Sequence, residues 1–140
     1  MLYNFKAQFV PAIRSGDKRQ TIRAPRKSRH VRPGETVHIY TGPRFQPKKV
    51  GEAPCIEVVT IQLNLNDRTI QAHTEDESGA VLQVWTRCGA IEGQHPDRLA
   101  QADGFKDWEE MRSWFAQTHG PAGEFRGVLI KWDYGRFYPA

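Results

Sequence analysis

The run from Cys55 to Leu65, CIEVVTIQLNL, constrains the fold more than any other part of the chain. Its β-branched residues crowd a helix but pack well on a pleated surface, so it predicts a long strand. Asn66-Asp67 signals a turn, Arg68 to His73 follows as the hairpin partner, and Val81 to Thr86 is a third strand in succession. Shorter strands are expected at Leu2 to Phe5, Gln20 to Arg23, Thr36 to Thr41 and Gly127 to Trp132.

Helical periodicity is confined to three places. Phe9, Ala12 and Ile13 form an apolar face that Gly16 terminates, with Pro11 tolerated in the first turn, where its missing N–H has no intrahelical partner. Asp97 to Ala102 reads as a short helix broken by Asp103-Gly104. Asp107 to His119 reads as a stronger one, with Trp108, Met111, Trp114 and Phe115 turned to a core. Gly42 to Pro54, rich in proline and lysine, is expected to be a loop and a mobile flap, and Tyr134 to Ala140 an aromatic tail. Many short strands without a βαβ pattern exclude a Rossmann domain. They predict an α+β fold, a small, mostly antiparallel β-barrel with flanking helices.

With 140 residues and 39% hydrophobic content, the chain suits one domain, residues 1–140, built on one modest core. No apolar run is long enough to cross a bilayer, which argues against a membrane partner. Cys55 and Cys88 are far apart and the N-terminus has no charged region followed by an apolar one, so a cytoplasmic chain with free thiols is expected.

Charge is concentrated in one connection. Arg14 to Arg32 holds eight of the twenty Lys and Arg residues against one acid, Asp17, and carries +7 while the remainder of the chain sums to −3. Such clustering suits a phosphate or nucleotide-like ligand better than the modest global charge does. Within it, Lys18 and Thr21 stand three apart, with Arg14, Arg19 and Arg23 close in sequence. Neighbouring cations make a lysine easier to deprotonate, and a neutral amine beside a threonine can act as base toward a hydroxyl nucleophile. Residues three apart on one strand face opposite ways, so the pair converges only if Lys18 lies on the turn before the strand.

The run Ala12-Ile13-Arg14-Ser15-Gly16-Asp17-Lys18-Arg19-Gln20-Thr21-Ile22-Arg23, followed by Pro33-Gly34-Glu35-Thr36-Val37, resembles the ASCH domain family, a relative of the PUA domain. Ala100-Gln101-Ala102-Asp103-Gly104-Phe105, the Trp108 to Phe115 helix and the final apolar strand resemble the family's C-terminal half, so the likeness spans essentially the whole chain. Small bacterial members deacylate N(4)-acetylcytidine and related bases with a Lys, a Thr and a Glu. The resemblance implies Lys18 and Thr21 for the first two, with Asp103, one methylene shorter, in the place of the Glu. It further implies an N(4)-acylcytosine amidohydrolase that needs no cofactor and no obligate protein partner, its substrate a modified cytosine nucleoside or nucleotide. The alternatives are a non-catalytic PUA-like RNA-binding module and an ASCH-type ribonuclease.

Arg23 is a candidate to anchor a base carbonyl, a phosphate or an oxyanion through its planar fork. Arg26, with Lys27, Arg29 and Arg32, lies on a Pro-bounded loop suited to phosphates, making RNA a possible partner. Tyr40, Trp85 and Phe45 are candidate stacking surfaces for a base. His38, Cys55, His73 and Cys88 lack the close spacing of a zinc site, so no metal is expected. No glycine-rich phosphate loop is present.

Overall fold

The computed structural model describes residues 1–64, 69–75, 81–88, 100–119 and 123–140; the side chains of residues 64–75, 81–88 and 119 are outside that description. Asn66-Asp67, Gly89 and the Asp97 end of the short helix fall outside the described residues, as do the side chains of His73, Trp85 and Cys88.

Among the described residues eight strands are joined in one mostly antiparallel sheet. β1 (Leu2–Phe5) leads through a 3-10 turn at Ala7–Phe9 into α1 (Val10–Ser15) and then β2 (Gln20–Arg23). β3 (Thr36–Thr41) precedes the long β4 (Lys48–Asn64), which is followed by β5 (Thr69–Glu75) and β6 (Val81–Cys88). Residues 100–102 are helical, and α2 (Trp108–His119) is followed by β7 (Glu124–Trp132), a 3-10 turn at Tyr134–Arg136 and β8 (Tyr138–Pro139).

β4 organises the sheet. Its first part pairs with β3, from Thr36↔Pro54 to Thr41↔Lys48, and its second part lies between β7 and β5. β2 pairs with β7 on that strand's other side, β8 adds to β4 at Gly51 and Glu52, and β1 runs parallel to β3. The strand therefore begins well before Cys55, and the flap expected at Gly42 to Pro54 is confined to its start. Composition misleads here because pairing and burial outweigh it. Val50 and Ala53 are each 1% exposed, and beyond Pro54, which has no N–H to give, the Cys55 amide donates to Glu35 O at 2.8 Å.

A closed barrel is not formed. β1 and β2 are two of the sheet's edge strands, and among the described residues no backbone ladder joins them. A side chain links the two edges instead: Arg23 Nη2 on β2 donates to Asn4 O on β1 at 2.8 Å. The opening between these edges is where the candidate site lies.

Trp108, Met111 and Phe115, one stripe of α2, are buried in the same core cluster as Ile61, Leu63, Leu129, Ile130 and Trp132. Trp114, expected in the same core, is off that stripe and only partly buried. Among the described residues no helix is long and apolar enough to cross a membrane.

Candidate functional site

Gly16 fixes the approach of the basic segment to the sheet. Its φ of 88° ends α1 in the left-handed region, so that the amide of Lys18 returns to Ala12 O at 2.9 Å. Lys18 thereby occupies the short connection before β2, as the convergence with Thr21 requires, and its side chain turns inward. It is 2% exposed, with its ammonium 4.9 Å from the ring centre of Phe9 and 5.7 Å from that of Phe5. Desolvated contacts of this kind contribute roughly 0.5–2 kcal/mol each, too little to hold a buried charge without a carboxylate.

That carboxylate is Asp103. Lys18 Nζ donates a short hydrogen bond to Asp103 O and stands 3.6 Å from Asp103 Oδ1. Asp103 is 4% exposed and follows the helical residues 100–102, whose end is tied to the basic segment by Arg19 N donating to Ala102 O at 3.3 Å. Gly104 permits the close approach. With φ at 97°, a Cβ there would lie 2.9 Å from Lys18 Cδ and 3.0 Å from Phe9 Cδ1.

Thr21 and Arg23 project from one face of β2. Arg23 Nε donates to Thr21 Oγ1 at 3.0 Å, and the guanidinium lies over Phe5 at 4.6 Å and Tyr3 at 5.4 Å. Because Arg23 fills an acceptor position on Oγ1, the hydroxyl hydrogen remains available to a base, while the cation favours negative charge on that oxygen. Among the described residues Lys18 and Thr21 share no hydrogen bond; both border the same cavity.

This cavity is about 230 Å³. Phe5, Phe9, Phe105 and Trp114 supply its aromatic wall, and Lys18, Thr21, Arg23 and Asp103 its polar side. Phe9 meets Phe105 and Trp114 edge-on, at 5.3 and 6.0 Å between ring centres. Asn4 and Lys6 complete the rim, Lys6 placing its ammonium 5.4 Å from the Trp114 ring. Aromatic rings and polar groups thus line different parts of one space, the division found in small-molecule sites.

Burial sets the protonation of the pair. Desolvation lowers the pKa of Lys18 despite the opposing attraction of Asp103, and the Arg23 charge lowers it further. Asp103 is pushed up to about 6 by burial, with Lys18, Gln20 and Arg23 pulling the other way. The two groups are thus brought closer in proton affinity than a free lysine and a free aspartate are. Gln20 Nε2 and Asp103 Oδ1 are both buried without a hydrogen-bond partner of good geometry in the protein.

The other expected binding residues are outside the cavity lining. Arg26 is exposed, donates to Met1 Sδ at 3.0 Å and Arg29 O at 3.2 Å, and lies 5.1 Å from the Tyr3 ring. Tyr40 is on β3 opposite Asn4, half-buried and away from the lining. Arg29, one of the four cations of the basic loop, is held by both oxygens of Glu35, at 2.7 and 2.8 Å. The aromatic wall is what sequence reasoning missed. Phe9 and Trp114 read as ordinary core residues and Phe105 only as the end of the Ala100–Phe105 run, although Trp114 breaks the regular 108-111-115 stripe of α2. Among the described residues no group of three or more His, Cys, Asp and Glu comes together.

A scan against protein-family models finds no matching family, and searches of curated proteins and of solved structures find no match.

Proposed function

We propose that this chain is an ASCH-type, PUA-like amidohydrolase that cleaves the exocyclic amide of an N(4)-acylated cytosine, cytidine or nucleotide, releasing the free amine and a carboxylic acid. One observation carries the reading: Lys18 and Asp103, 85 positions apart, meet with their charged groups buried beside a cavity that also presents Thr21. Buried, opposed titratable groups next to a hydroxyl and an aromatic slot are a costly arrangement for a structural role alone.

The chemistry follows from the shared proton. Over the middle pH range the Lys18–Asp103 pair holds one ionisable proton, and the shifts favour exchange between the ion pair and its neutral form, amine plus carboxylic acid. In the neutral form Lys18 takes the proton of Thr21 as Oγ1 attacks the acyl carbon, and Arg23 stabilises the developing negative charge. Collapse of the tetrahedral intermediate breaks the C–N bond, and the carboxylic acid of Asp103 protonates the leaving nitrogen. The Asp103 carboxylate then accepts a proton from a water that attacks the ester. Lys18 returns its proton to Thr21 Oγ1, restoring the starting state.

The test is incubation of purified protein with N(4)-acetylcytidine, with cytidine followed by chromatography. Release of cytidine that disappears in Thr21→Ala and Lys18→Met is the expected result. Failure to deacylate any of a series of N(4)-acylcytidines would refute the reading.

A further inference from the structure

Where β4 extends back to Lys48, it builds a second surface beside the cavity. An open groove of about 310 Å³ separates α1 from the β3–β4 hairpin, with Arg14 on its helix side and Thr41, Lys48 and Lys49 on its sheet side. No carboxylate lines it. Lys49 is paired with Glu52 at 2.9 Å, whereas Arg14 and Lys48 have no acidic partner among the described residues.

The tip of that hairpin carries the most exposed large apolar residue among those described: Phe45, 90% exposed. The turn holding it is a constrained one. Pro43 and Pro47 bracket it, Gln46 N donates to Pro43 O at 3.0 Å, and Gly42 has φ 101°. Arg44 lies 5.8 Å from the Phe45 ring. The tip is also fastened to the cavity rim, because Asn4 Nδ2 donates to Gly42 O at 3.1 Å and Thr41 Oγ1 donates to Phe5 O at 2.8 Å. Lys6 borders the cavity and the next residue, Ala7, borders the groove, so the two surfaces adjoin.

We propose that the 42–49 hairpin and Arg14 form a docking platform for single-stranded nucleic acid, with Phe45 stacking on a base and Arg14 and Lys48 holding phosphates. A solvent-facing ring with Arg44 beside it, on a hairpin whose base carries the unpaired Lys48, is the combination such chains recognise, since every base offers a face to stack and every link a phosphate. A duplex hides the faces of its bases, and a single ring between prolines offers too little apolar area to anchor in a bilayer. This moves the phosphate contacts away from the Arg26–Arg32 loop, where Arg29 is already held by Glu35. The platform does not depend on amide cleavage; presentation of a base to the adjoining cavity rests on the amidohydrolase reading.

The experiment measures binding of a short labelled single-stranded RNA by fluorescence anisotropy across a salt series. Phe45→Ala should weaken binding by about tenfold. Arg14→Glu with Lys48→Glu should weaken it further and flatten the log–log salt slope by roughly 0.7 per lost cation. The same variants are assayed for N(4)-acetylcytidine turnover, and RNA binding lost with free-nucleoside turnover retained separates the platform from the catalytic proposal. Far-UV circular dichroism verifies that these exposed substitutions leave the fold intact. Unchanged affinity in both hairpin variants would overturn the platform, as would equal affinity for duplex RNA or for phosphatidylserine vesicles.

Discussion

Lys18 Nζ and Asp103 Oδ1 stand 3.6 Å apart with both side chains almost sealed from solvent. The contact spans the chain, joining the connection after α1 to the turn before α2 and closing one side of the cavity. Removing either partner leaves the other charge buried and unmatched, so the pair behaves as one titrating unit in both stability and reactivity.

Activity should follow a bell-shaped pH profile. Below about pH 6 Asp103 takes up a proton while Lys18 keeps its own, which removes the neutral amine and suppresses turnover. The alkaline limb falls where the pair loses its last proton, below the ordinary lysine value of 10.5 because burial lowers Lys18. Initial rates of N(4)-acetylcytidine deacylation across pH measure both limbs. A profile flat through pH 6 would remove Asp103 from the proton inventory.

Fold stability should depend on the same carboxyl. Its pKa is raised from 3.8 to about 6 in the folded state, so the folded protein binds this proton more tightly than the unfolded chain does. The stabilisation is complete below pH 3.8 and is lost as pH rises through about 6, on the order of 3 kcal/mol for this group. Asp103→Asn cannot titrate and should lack that decline. Urea unfolding of both proteins at intervals between pH 4 and about 6.5 makes the comparison, and parallel curves would contradict it.

The bond from Arg23 Nε to Thr21 Oγ1 should matter mainly to the chemical step. Arg23→Lys keeps the charge but loses the planar fork that also reaches Asn4 O. A loss of roughly 10- to 100-fold in kcat is expected, with a smaller change in KM, since misplacement of about 1 Å is enough for such an effect. Steady-state kinetics distinguish this from a purely binding role, which would raise KM and spare kcat.

Gly104→Ala tests the close approach that carries Lys18 past the turn. The added methyl meets Lys18 Cδ at 2.9 Å and Phe9 Cδ1 at 3.0 Å, on a backbone at φ 97°. The variant should lose about 1–3 kcal/mol of stability and most of its activity together. Thermal unfolding followed by an activity assay at low temperature reads both effects. Full activity would mean that the Lys18 position tolerates more freedom than this packing allows.

The sequence by itself determined the local elements that bear the site. β-Branched alternation marked β3 from Thr36 to Thr41, and the pattern ending at Gly16 marked the stop of α1. Convergence with Thr21 required Lys18 to lie on the turn before β2, and it does, because Gly16 in the left-handed region redirects the chain there. These features depend on residues within a few positions of one another, where propensity and periodicity operate.

Only the tertiary structure decided the rest. That β4 starts at Lys48 depends on pairing with β3, that Arg23 bridges from β2 to Asn4 O on β1 depends on where the sheet carries those edges, and that Trp114 faces a cavity depends on how α2 is seated. Resemblance nominated Asp103 as the partner of Lys18, but its reach is a matter of packing: Gly104 lets two segments 85 positions apart approach closely enough for a shorter acid to meet the amine. Contacts of that separation and the burial that shifts both protonation equilibria arise from the folded arrangement as a whole, and no local pattern encodes them.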